Sequence, residues 1–139
     1  MRLSGNAGFA ALLLLTSGWA ACAQDKPDLG RLEGAWVPEG TACKAVFYRQ
    51  GSAVHFARPG AAKRDGVVIK GNRIEDARNR CTIRRAKEEA SQYTVLLSCF
   101  SGLLVSSFAL KLRFAGEDTV IRTLPDFPDE EKRWQRCRP

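Results

Sequence analysis

The chain has 139 residues, 45% hydrophobic and 27% charged, with a formal net charge of +7. Those proportions fit one globular domain and exclude a disordered chain, a coiled coil or a two-lobed cofactor enzyme. A basic surface steers anionic partners toward it over long range.

Residues 1–23 read as a secretory signal. Arg2 supplies the positive start, Phe9 to Leu15 the apolar stretch, and Ala21-Cys22-Ala23 a small-x-small cleavage site. The reading is cleavage before Gln24 and export to the periplasm or beyond the cell. Lipid attachment at Cys22, within Trp19-Ala20-Ala21-Cys22, is the alternative and would make an outer-membrane lipoprotein. No later stretch approaches the roughly 20 apolar residues of a spanning helix, so no transmembrane segment is expected. Residues 24–31, with Pro27 and Gly30, read as a flexible lead-in to a domain over 32–139.

From Leu32 onward, short β-prone segments alternate with turn residues at roughly ten-residue spacing, as in an all-β sandwich or barrel. The strands are expected near Leu32–Val37, Lys44–Arg49, Ala53–Ala57, Gly66–Lys70, Arg73–Ala77, Cys81–Lys87, Gln92–Phe100, Leu103–Phe114, Thr119–Leu124 and Arg133–Cys137. Gly71-Asn72 supplies a two-residue hairpin turn tolerant of positive φ, and Pro59 to Asp65 the most evident flexible loop. Along Leu104 to Phe114, Leu104, Ser106, Phe108, Leu110, Leu112 and Phe114 share one face, as in a half-buried antiparallel strand. The fold class is all-β: a single antiparallel barrel or strongly bent sandwich of about eight to ten strands with two disulfides.

The five cysteines become four after cleavage: Cys43, Cys81, Cys99 and Cys137. Their wide spacing lacks the paired C-x-x-C of a zinc site, and an even set in an exported domain reads as two disulfides. A hairpin centred on Ala90 sets Cys81 opposite Cys99, within bonding reach. That leaves Cys43–Cys137, joining an early strand to the last one as barrel closure requires.

The same hairpin register sets Ile83 opposite Leu97, Arg85 opposite Val95 and Lys87 opposite Tyr93. Within the basic set Arg73, Arg78, Arg80, Arg84, Arg85 and Lys87, it directs Arg85 and Lys87 inward. Arg84 then points outward. Arg85, Lys87 and Tyr93 are therefore the candidate ligand-binding residues, two cations and an aromatic at one barrel mouth. Arg suits a phosphate or carboxylate because its fork binds both oxygens.

His55, the only histidine, lies in a short strand with no Gly-x-Ser-x-Gly elbow or His-Glu-x-x-His around it. Disulfide pairing removes every mature cysteine as a nucleophile. Asp126, Asp129, Glu130 and Glu131 lack the alternating ligands and glycine of a calcium loop. No catalytic residue, metal site or cofactor is expected.

Leu32-Glu33-Gly34-Ala35-Trp36 resembles the Gly-x-Trp opening of calycin-type barrels, whose Trp packs across the closed end. Within that group the chain is similar to the small bacterial metalloprotease inhibitors, where such a strand also leads to a Cys, here Cys43. It departs from them in the position of the next Cys and in the tail Gln24-Asp25-Lys26-Pro27. Ser101-Gly102-Leu103-Leu104-Val105 only partly resembles the Ser-Gly-x-x-Tyr segment of periplasmic lysozyme inhibitors, since the Tyr is missing. The expected function is a non-enzymatic exported binding protein. Its partner would be an anionic small molecule or an envelope component, not nucleic acid. The alternative is an inhibitor of a periplasmic or secreted hydrolase. The first requires a lined cavity, the second a filled core and an exposed tail or loop.

Overall fold

The computed structural model describes residues 28–57 and 65–138. The signal at 1–23, residues 24–27 of the lead-in and most of the Pro59–Asp65 loop lie outside them. Ten strands follow in chain order: β1 Gly34–Pro38, β2 Phe47–Gln50, β3 Ala53–Phe56, β4 Val67–Lys70, β5 Arg73–Glu75, β6 Arg80–Glu89, β7 Gln92–Ser101, β8 Leu104–Phe114, β9 Thr119–Leu124 and β10 Phe127–Cys137. Eight of them close an antiparallel barrel, while β2 and β3 form a separate hairpin. Two expected strands start differently, because Gly30–Leu32 and Cys43–Ala45 are short 3-10 turns. Gly71 takes φ +57° in the β4–β5 turn, as a primed hairpin turn requires.

Closure comes from β1, which pairs with β10 on one edge and β4 on the other. Alternation then sorts its side chains. Trp36 turns inward with Ile69, Leu97, Tyr93 and Val95 in the main core, whereas Ala35 and Val37 turn outward. The outward pair would be wet on a bare barrel. Instead the β2–β3 hairpin lays Phe47, Val54 and Phe56 over it, forming a second apolar layer with Val46 and Cys137.

Both disulfides form as the cysteine arithmetic expects, Cys81–Cys99 and Cys43–Cys137. Cys81 stands directly opposite Cys99 between β6 and β7. The role of Cys43–Cys137 differs from the expected one. Hydrogen bonds close the barrel, and this bridge fastens the segment leading to the outer hairpin onto the outer face of β10.

Candidate functional site

One end of the barrel is plugged. The Trp36 indole N–H donates to the Leu32 carbonyl at 2.8 Å, holding the first 3-10 turn across the opening. The Arg136 guanidinium stacks on Trp36 at 4.2 Å, donates to the carbonyls of Glu33 and Arg31, and pairs with Asp118 at 3.2 Å. Tyr93 and Phe114 fill the remaining space with their rings edge to face at 6.1 Å. The Tyr93 hydroxyl donates to the Asp28 carbonyl at 3.3 Å. Burial, seconded by Glu88, pushes the Tyr93 phenol above its ordinary value.

Tyr93 is thus part of the plug, and the residues expected beside it are elsewhere. From Cys81 to Ile83 the β6–β7 register is the expected one, but beyond Ile83 it slips by one residue. Arg85 pairs with Leu96, Ala86 with Val95, and Glu88 with Tyr93. Arg85 and Lys87 therefore stand on the outer, exposed face, where Lys87 pairs with Glu89 at 2.6 Å. The interior position expected for both is corrected by this bulge, which leaves Arg84 as the extra residue. Arg84 is outward and exposed as expected, and Arg73, Arg78 and Arg80 are exposed as well.

The interior charge comes from β9 instead. Val120, Arg122 and Leu124 alternate inward there, because Val120 opposes Trp134 and Arg122 opposes Lys132 on β10. Between the plug and Arg122 lies a cavity of about 70 Å³. Its wall is apolar, built from Trp36, Ile69, Ile74, Leu110, Leu112 and their neighbours, with Arg122 the one charged side chain. Arg122 is half-buried and makes no ion pair or hydrogen bond among the described residues, only a cation–π contact at 5.8 Å over the Trp134 ring. Burial pushes its guanidinium below the ordinary value, while the nearby Asp65 carboxylate acts the other way. Lys132, opposite Arg122 in the ladder, is exposed.

Trp134 supplies the second polar group. It is 7% exposed, lines the cavity, and its Nε1 has no hydrogen-bond partner. The contrast with Trp36, whose indole N–H is satisfied, is informative. A buried donor without an acceptor costs about 1–3 kcal/mol. The cavity therefore offers an apolar wall with one cation from β9, and Trp134 of β10 belongs to that wall with its indole N–H buried inside it.

Sequence reasoning passed over Arg122 because Val120-Ile121 gives neither face of β9 a distinct apolar character. The other polar candidates lie outside the site. His55 is exposed on the outer hairpin and stacks on Tyr48 at 5.4 Å. Asp126, Asp129, Glu130 and Glu131 are exposed, and Glu131 meets Arg113 at 3.3 Å. No group of acidic, His or Cys side chains suited to a metal ion occurs among the described residues.

The fold and cavity together define a class: a closed eight-stranded antiparallel barrel with an internal apolar pocket. Compared with family models, curated proteins and solved structures, the chain has no match in any of the three.

Proposed function

We propose that this chain is a non-enzymatic exported binding protein. Its ligand would be a small amphiphile with a short apolar body and an anionic head. The observation that carries the reading is the half-buried Arg122 guanidinium, without an ion pair or hydrogen bond among the described residues, at the wall of an apolar cavity. A carboxylate or phosphate accepts from the Arg122 guanidinium, and charge-assisted bonds of this kind are the strong ones. The apolar body then fills the space toward the plug. The cavity is about half the volume of the roughly 150 Å³ apolar cavity that accepts benzene, so the body is short. Export fits the two disulfides, which persist in oxidising compartments.

The calycin-type resemblance belongs to the same proposal, and its support is Trp36 lying across the plugged end. The inhibitor alternative called for a filled core, and the lined cavity favours binding. The test is a matched pair of short probes, butanoate and butanol, read by thermal shift and by tryptophan emission. Butanoate should raise the melting temperature and alter the emission of Trp134, with butanol weaker. Equal effects, or no effect from either, would overturn the reading.

A further inference from the structure

β8 is paired with β7 from Leu104 to Arg113. Its other edge meets β9 only from Lys111 to Phe114. β9 ends at Leu124, where the chain turns back into β10 at Phe127. Among the described residues, the β8 edge from Leu104 to Leu110 therefore has no partner strand. Natural edges are usually guarded by Lys, Pro or a bulge. The run Leu103-Leu104-Val105-Ser106-Ser107-Phe108-Ala109-Leu110 contains no Lys, no Pro and no charge. Its side chains are bare too, with Leu103 99%, Leu104 74%, Val105 69% and Phe108 40% exposed.

A bilayer would cover such side chains, but two facts oppose it. Asp126, Asp129 and Glu130 are exposed on the neighbouring hairpin and repel anionic lipid. Hydrocarbon also leaves open ladder groups unsatisfied. An added strand satisfies backbone and side chains together. A second copy of this edge suits it, because an uncharged segment lets two positively charged chains meet without opposing like charges.

We infer that two copies of this chain pair through β8, antiparallel, about a twofold axis at Ser106. An isologous antiparallel ladder places one residue opposite itself, since the axis stands perpendicular to the sheet. With Ser106 there, Leu104 faces Phe108 of the second copy, and Val105 faces its Ser107. The bare inner-face side chains cover one another. Leu103 at each apex is brought toward the other copy's β9–β10 turn, beside the exposed Phe127. Centring on Ser107 would instead set Leu104 against Leu110, which the barrel already buries. Each copy uses its edge once, so the contact closes as a dimer. This inference does not depend on the ligand reading.

The test combines sedimentation equilibrium with hydrogen exchange on the disulfide-bonded protein. The wild-type protein should dimerise as its concentration rises, and the amides of 104–108 should slow in step. Val105→Thr should do the same. Val105→Lys should remain monomeric with fast exchange at 104–108, and Ser107→Lys should repeat that loss from the opposing position. Both lysines replace exposed residues, and melting of the dilute monomer should match that of the wild-type protein. A wild-type protein that stays monomeric, even one that captures a foreign strand, would overturn the inference. So would a dimer whose 104–108 exchange is unchanged, or lysine variants that associate like the wild type.

Discussion

At the residue scale, two arginines on the inner face of one barrel have opposite circumstances. Arg136 is anchored by two carbonyls, Asp118 and the Trp36 ring, so its charge serves the plug. Arg122 is half-buried with only a ring beneath it. A desolvated cation without a bonded partner is replaceable by an apolar side chain of similar length at no loss of stability. Arg122→Met should therefore melt at or above the wild-type temperature. The same variant should lose about 1.5–3 kcal/mol of butanoate affinity by calorimetry, as deletion of a charged hydrogen bond predicts. Arg85→Ala, on the exposed outer face, should bind butanoate like the wild type. Asp118 carries the pH dependence of the plug. The Arg138 guanidinium first, then Arg136, holds its carboxyl below the ordinary carboxylate range. A depressed carboxyl contributes stability that is present above its unfolded value and lost as pH falls through its folded one. Asp118→Asn should thus melt lower than the wild type at neutral pH, with the gap narrowing as acid protonates Asp118 in thermal scans.

At the element scale, the β6–β7 hairpin explains why the candidate site moved. Its two ends are one residue out of step. At the far end Cys81 is held opposite Cys99, while at the turn Glu89 opposes Gln92 around the two-residue loop Ala90-Ser91. The surplus residue is absorbed as a bulge between Ile83 and Arg85, which re-aims every side chain from there to the turn. Ala90 and Ser91 both adopt positive φ, at 47° and 67°, conformations that cost L-residues roughly 1–2 kcal/mol each. Asn-Gly suits such a turn, so Ala90→Asn with Ser91→Gly should raise unfolding free energy by about 1–2 kcal/mol in urea titration. The outer hairpin is equally particular about one contact. A Cβ on Gly66 would press into Val46 Cγ1 and lie 2.9 Å from Phe47 Cζ. Both neighbours are buried, so Gly66→Ala should cost about 1–3 kcal/mol by overpacking, measured the same way.

At the scale of the whole molecule, the two disulfides constrain loops of very different length, with separations of 94 and 18 residues. Chain-entropy reasoning assigns about 4.7 kcal/mol to a loop near 100 residues and about 3 kcal/mol to one near 15. Replacing Cys43 and Cys137 by Ser should therefore destabilise more than replacing Cys81 and Cys99. Denaturant unfolding of the two double variants checks the order.

The all-β class, the two-residue turn at Gly71-Asn72, both disulfide pairings and the inward turn of Leu110, Leu112 and Phe114 were legible in the linear chain, whereas Leu104, Ser106 and Phe108 of the same face are exposed. Each rests on local information: period-two alternation, turn chemistry, or the parity and spacing of cysteines. Three features were not. That Cys43–Cys137 fastens an outer layer depends on β2 and β3 leaving the barrel, which no local pattern in Phe47–Phe56 encodes. The inward turn of Arg122 depends on which face of β9 meets Trp134, and β9 carries apolar residues on both faces. The placement of Arg85 and Lys87 depends on a bulge, where one residue inverts all that follow it. Alternation fixes sides only relative to a neighbour in the same strand. Which side is inside is decided by the partner strands, and so only by the closed barrel.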